Sequence, residues 1–136
     1  MFATARVSHF RANVWLTIEN EVPSEEPMVG TAILRDGGKE LSLEFSDEDR
    51  YVVVVKRTGD NHFRGEITWD SRKREEGGVA EGVLSRRSQA TRAEADEPED
   101  LLFLGEWRQW YHEGRRMVHW DARIKVELDP EPDEAR

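Results

Sequence analysis

The segment Val118-His119-Trp120-Asp121-Ala122-Arg123-Ile124-Lys125-Val126-Glu127-Leu128 decides the fold. Its apolar residues, from Val118 and Trp120 to Val126 and Leu128, alternate without a break with His119, Asp121, Arg123, Lys125 and Glu127. A helix would bring apolar residues back every three or four positions. A period of two predicts a β-strand with one face buried and the other in water. The same alternation runs through Ala12, Val14, Leu16 and Ile18, and through Leu41, Leu43 and Phe45. It recurs in Phe63, Gly65, Ile67 and Trp69, and in Leu101, Phe103, Gly105 and Trp107. Val52-Val53-Val54-Val55 is apolar in both phases, which predicts a strand covered on both sides. Met28–Arg35 and Val79–Arg86 carry weaker versions of the pattern.

Turn chemistry separates these runs. Breaks fall at Glu21–Pro27, Asp36-Gly37-Gly38, Ser46–Asp49, Thr58-Gly59-Asp60-Asn61, Asp70–Gly78, Arg87–Asp100 and His112-Glu113-Gly114. All five prolines lie in such breaks or in the tail, where a missing N–H harms no ladder. The result is an all-β chain of about eight strands with short connections, which favour antiparallel neighbours in a meander. Eight such strands remove their exposed edges by closing into an up-and-down barrel, and two packed sheets are the alternative. Glycines inside four of the runs, Gly30, Gly65, Gly82 and Gly105, favour the barrel, because a closing sheet must bend sharply at intervals.

Composition sets the outer limits. The chain has 136 residues, one domain's worth, and a formal charge of −9. Much of that charge sits in two places: Glu94, Asp96, Glu97, Glu99 and Asp100, and the tail from Asp129. The expected organisation is therefore one β domain over residues 1–128, an acidic mobile loop at 87–100 and a disordered acidic tail at 129–136. Cysteine is absent, which excludes disulfides, thiolate-bound metals and thiol catalysis. No apolar run approaches the ~20 residues of a helical membrane span, and the first ten residues lack a signal-peptide layout. A cytoplasmic protein without a membrane partner is the expectation.

Few residues suggest chemistry. No Walker A loop, G-x-G-x-x-G or G-x-S-x-G motif occurs, so no catalytic residue or cofactor is assigned. The four histidines, His9, His62, His112 and His119, lack metal-binding spacing, and no metal ligand is assigned. Arg72-Lys73-Arg74, Arg86-Arg87 and Arg115-Arg116 fall in turns beside acidic residues, which reads as solvated hairpin ends rather than a nucleic-acid surface. The five tryptophans are the distinctive feature. Trp69, Trp107 and Trp120, with Phe63 and Phe103, share a phase with apolar neighbours and are candidates to line a barrel pocket for a small, partly apolar ligand. Trp15 and Trp110 are out of phase and, with Tyr111 beside a hairpin end, are candidates for an interaction surface such as a homodimer contact.

Gly105-Glu106-Trp107 resembles the G-x-W element of lipocalins and other calycin barrels. The resemblance implies a calycin-like barrel in which the tryptophan closes one end by packing against an arginine, with Arg108, Arg115, Arg116 and Arg123 as candidates. The leading functional expectation, drawn from an aromatic-lined barrel interior, is non-enzymatic binding of a small, partly apolar ligand within the barrel. The alternatives are a solid-cored interaction module and an enzyme using a histidine or carboxylate in the cavity.

Overall fold

The computed structural model describes residues 7–18, 25–86 and 100–131. The acidic segment expected to be a mobile loop lies outside the described residues except for Asp100, as does most of the tail. Eight strands follow one another: β1 (Val7–Ile18), β2 (Met28–Arg35), β3 (Glu40–Ser46), β4 (Arg50–Arg57), β5 (His62–Trp69), β6 (Gly77–Arg86), β7 (Leu101–Glu113) and β8 (Arg116–Pro130). Each pairs antiparallel with the next, and β1 pairs with β8 to close the barrel. That last ladder, from Phe10↔Pro130 to Ile18↔Ala122, excludes the two-sheet alternative. Strand β8 continues two residues past Leu128, because Arg11 and Phe10 of β1 supply partners for Asp129 and Pro130.

The alternating residues of the quoted segment do what their period requires. Ala122, Ile124, Val126 and Leu128 are buried inside, while Asp121, Arg123 and Lys125 face out. The valine run of β4 obeys the same rule and corrects the expectation of two covered faces. Val53 and Val55 are fully buried, whereas Val52 and Val54 are half-exposed on the barrel's outside. A single-layered barrel offers nothing to cover that side, so the outer valines pack only sideways, beside Glu44 and Thr68, and Ser42 and Glu66.

Gly82 and Gly105 sit opposite each other on β6 and β7. A Cβ on Gly105 would collide with the Glu81 carbonyl oxygen, and one on Gly82 with that of Leu104. The strands thus bend across each other at a separation that only hydrogen permits on the inner face. The glycines are closure devices, as their position inside strand-like runs suggests.

Candidate functional site

The interior contains a ring-packed aromatic cluster at the barrel end that carries the β3–β4, β5–β6 and β7–β8 turns. Phe45 stacks on Tyr51 with centroids 5.5 Å apart and an interplanar angle of 17°. Trp107 lies 5.9 Å from both rings, edge-on to Tyr51, and Trp69 closes the cluster 6.0 Å from Tyr51. The indole Nε1–H of Trp107, buried at 1% exposure, donates to Gln109 Oε1 at 2.9 Å. The Gln109 side chain also hydrogen-bonds Tyr51. Burial raises the Tyr51 phenol above its ordinary pKa; the Gln109 bond opposes this and the nearby Asp49, Asp47 and Glu48 add to it. The partners of Trp107 are therefore Phe45, Tyr51 and Gln109. Arg108, next in sequence, points outward and pairs with Asp121 at 3.2 Å.

The candidate interior-site residues divide. Trp107, Phe103, Phe63 and Trp69 are core side chains, and Trp120 is half-exposed but packed against the core. Of the proposed surface residues, Trp15 and Trp110 occupy the outward phase, whereas Tyr111 packs against the core one position on. Lys125 Nζ sits 5.0 Å above the Trp15 ring, a cation–π contact on the outer face.

One large depression lies along the outer wall of β5–β8 and the end of β1, bordered by outward side chains and also by the buried Trp107 and Ala122. It is half-open, has a volume of about 700 Å³, and is crossed by two rows of cross-strand neighbours with a third along its edge, of which only Trp110 lines it. One row runs Arg64–Glu81–Glu106–Arg123–Thr17 across β5, β6, β7, β8 and β1. Beside it stand Val79–Arg108–Asp121 and then Gly77–Trp110–His119. Glu81 and Glu106 face each other directly, a repulsive pairing that the flanking Arg64 and Arg123 offset. Arg64, Glu106 and Arg123 make no ion pair within 4.0 Å among the described residues. Trp110 lies across Gly77, where an added Cβ would come within 3.1 Å of its ring, and 6.5 Å from the His119 ring. Glycine at that point leaves room for the indole to approach the backbone of β6.

A second, smaller depression of about 410 Å³ opens at the opposite end of the barrel. Leu34, Phe63, Leu84 and Leu101 provide apolar surface there, and Arg57, Asp60 and Asn61 polar surface. Histidine–carboxylate pairs occur at His62–Glu81, 3.6 Å apart beside the outer wall, and at the β5–β6 turn, where His112 meets Glu75 and Glu76. Glu76 is 6% exposed and accepts from the backbone N–H of Lys73 at 2.8 Å and of His112 at 2.5 Å, and lies 3.2 Å from His112 Nδ1. Its acceptor capacity is spent on holding the turn against β7, which is a structural use. Among the described residues no group of three or more His, Asp or Glu is placed to hold a metal ion, and no helix is long and apolar enough to cross a membrane.

Sequence reasoning did not single out Arg64, Glu81, Arg108, Asp121 or Arg123 as a set. Their signal is only the outward phase of four strands, and the register that aligns them is a property of the closed sheet. Gln109 did leave a trace: it is a polar residue in the apolar phase between Trp107 and Tyr111. No protein-family model matches the chain, and no curated protein matches it at a significant level.

Proposed function

We propose that this protein is a binding module with a solid, calycin-like barrel that recognises its partner on the outer wall of β5–β8 and the end of β1. The observation that carries this reading is the contrast between inside and outside. Inside, Trp107, Tyr51, Phe45 and Trp69 fill space against one another. Outside, a depression of ligand-binding size opens beside a half-buried tryptophan. Exposed Val83 and Leu104, paired across β6 and β7, extend the apolar part of that wall and suit a partner chain or second copy. A cytoplasmic setting suits a chain without cysteine.

A second reading keeps the small, partly apolar ligand but moves it to the barrel mouth. Its support is the smaller depression, where Phe63 joins Leu34, Leu84 and Leu101. Titration with the apolar dye anilinonaphthalene sulfonate separates the two. The outer-wall reading expects no saturable binding that depends on Leu84. Saturable binding abolished by Leu84→Arg, with Trp110→Ala unchanged, supports the mouth instead.

A further inference from the structure

Building on the outer-wall reading, we propose that the depression beside Trp110 is a saccharide site, taking an uncharged glycan chain whose sugar rings stack on Trp110 and whose hydroxyls bond the charged rows beside it. Three observations converge. First, the charges lining the depression balance: Arg64, Arg108 and Arg123 against Glu81, Glu106 and Asp121. A polyanion would meet three carboxylates and a polycation three guanidinium groups, so a neutral ligand incurs the least repulsion. Second, the lining is planar and directional. Carboxylates accept and guanidinium groups donate in fixed forks, which matches vicinal hydroxyls; a hydrocarbon ligand would leave these groups unpaired. Arg64, Glu106 and Arg123 are without ion-pair partners among the described residues and so retain hydrogen-bonding capacity.

Third, the aromatic surface is built in. Trp110 lies against Gly77, where the missing side chain leaves room for its ring to approach the backbone of β6. The negative face of an indole attracts the weakly positive C–H groups on the flat side of a pyranose ring. An apolar flat face surrounded by a polar equator is the chemistry of a sugar, and the site offers one surface for each. The volume of about 700 Å³ and the half-open shape suit a short stretch of chain entering and leaving, rather than an enclosed monosaccharide.

The test uses the full chain with cellohexaose, maltohexaose, mannohexaose and xylohexaose as neutral probes and heparin as the polyanion, followed by saturation-transfer NMR and calorimetry. At least one neutral hexasaccharide is expected to bind with a Kd of about 1 mM or tighter. Trp110→Ala should weaken it about tenfold or more, Asp121→Asn should weaken it with the fold intact, and Trp15→Ala should leave it unchanged. Absence of binding by all four neutral probes, or binding that Trp110→Ala and Asp121→Asn leave unchanged, overturns the saccharide assignment. Preference for heparin overturns it as well. In each of these cases a self-association that Trp110→Ala or Leu104→Arg abolishes, read by light scattering, would keep the outer-wall reading and replace its ligand by protein. Binding of a hexasaccharide that depends on Leu84 at the mouth would overturn both.

Discussion

Glu76 and His112, on opposite sides of a turn and a strand, are joined twice: the carboxylate accepts the backbone N–H of His112 at 2.5 Å and lies 3.2 Å from its ring Nδ1. With the Lys73 N–H at 2.8 Å on its other oxygen, Glu76 fastens the β5–β6 turn to β7. The clamp stands directly beside Gly77 and Trp110, so it also sets the edge of the outer wall.

The first prediction follows from that clamp. The N–H groups of Lys73 and then His112, with help from the His112 ring, hold the Glu76 carboxyl below its ordinary pKa. A carboxyl with a depressed folded-state pKa contributes fully above its unfolded value and loses that contribution as pH falls through the folded one. Glu76→Gln should therefore lower Tm at neutral pH, and its Tm should converge with the wild type's as pH falls below the ordinary glutamate range and through the depressed folded-state value. Thermal melts by circular dichroism across that range measure the convergence. Parallel curves would deny Glu76 this role.

A second prediction concerns the bend between β6 and β7. Gly105→Ala places a methyl group against the Glu81 carbonyl oxygen and should cost about 3 kcal/mol, the upper part of the usual range for overpacking. Gly59→Ala meets nothing within 4 Å and should be neutral or stabilise by about 0.4–1 kcal/mol through the unfolded chain. Urea denaturation of the two variants gives the comparison, and equal effects would remove the close-approach explanation.

Tyr51 supplies a third. Its phenol is raised by burial, so absorbance near 295 nm should contain a phase titrating above the ordinary tyrosine value, and Tyr51→Phe should delete that phase. A raised folded-state pKa means the contribution to stability is complete below the unfolded value and fades as pH climbs through the folded one. Alkaline melts should show the wild type losing more Tm than Tyr51→Phe above about pH 10.

The fold was legible because the signals that set it are local. The alternation in Val118–Leu128 assigns each side chain to a face, and turn residues such as Asp36-Gly37-Gly38 mark where strands reverse. Positive φ at all three of those positions shows why they stand there. The site was less legible, since it depends on long-range register. Arg64 and Arg123 lie 59 positions apart in the chain, and only the ladder through Glu81 and Glu106 aligns them. The tripeptide Gly105-Glu106-Trp107 drew attention to Trp107 but not to its partners. Those are Phe45 and Tyr51, from strands whose spatial closeness no local pattern records.

The central claim, a solid interior with recognition on the outer wall, is tested most directly by ¹⁹F NMR of 5-fluorotryptophan-labelled protein. Its five resonances are assigned by single Trp→Phe variants and followed during titration with the neutral hexasaccharides and the apolar dye. The predicted result is that Trp110 moves while buried Trp69, which does not border the depression, stays fixed. A saturable shift of Trp69 with Trp110 unmoved would contradict it and place the ligand inside the barrel.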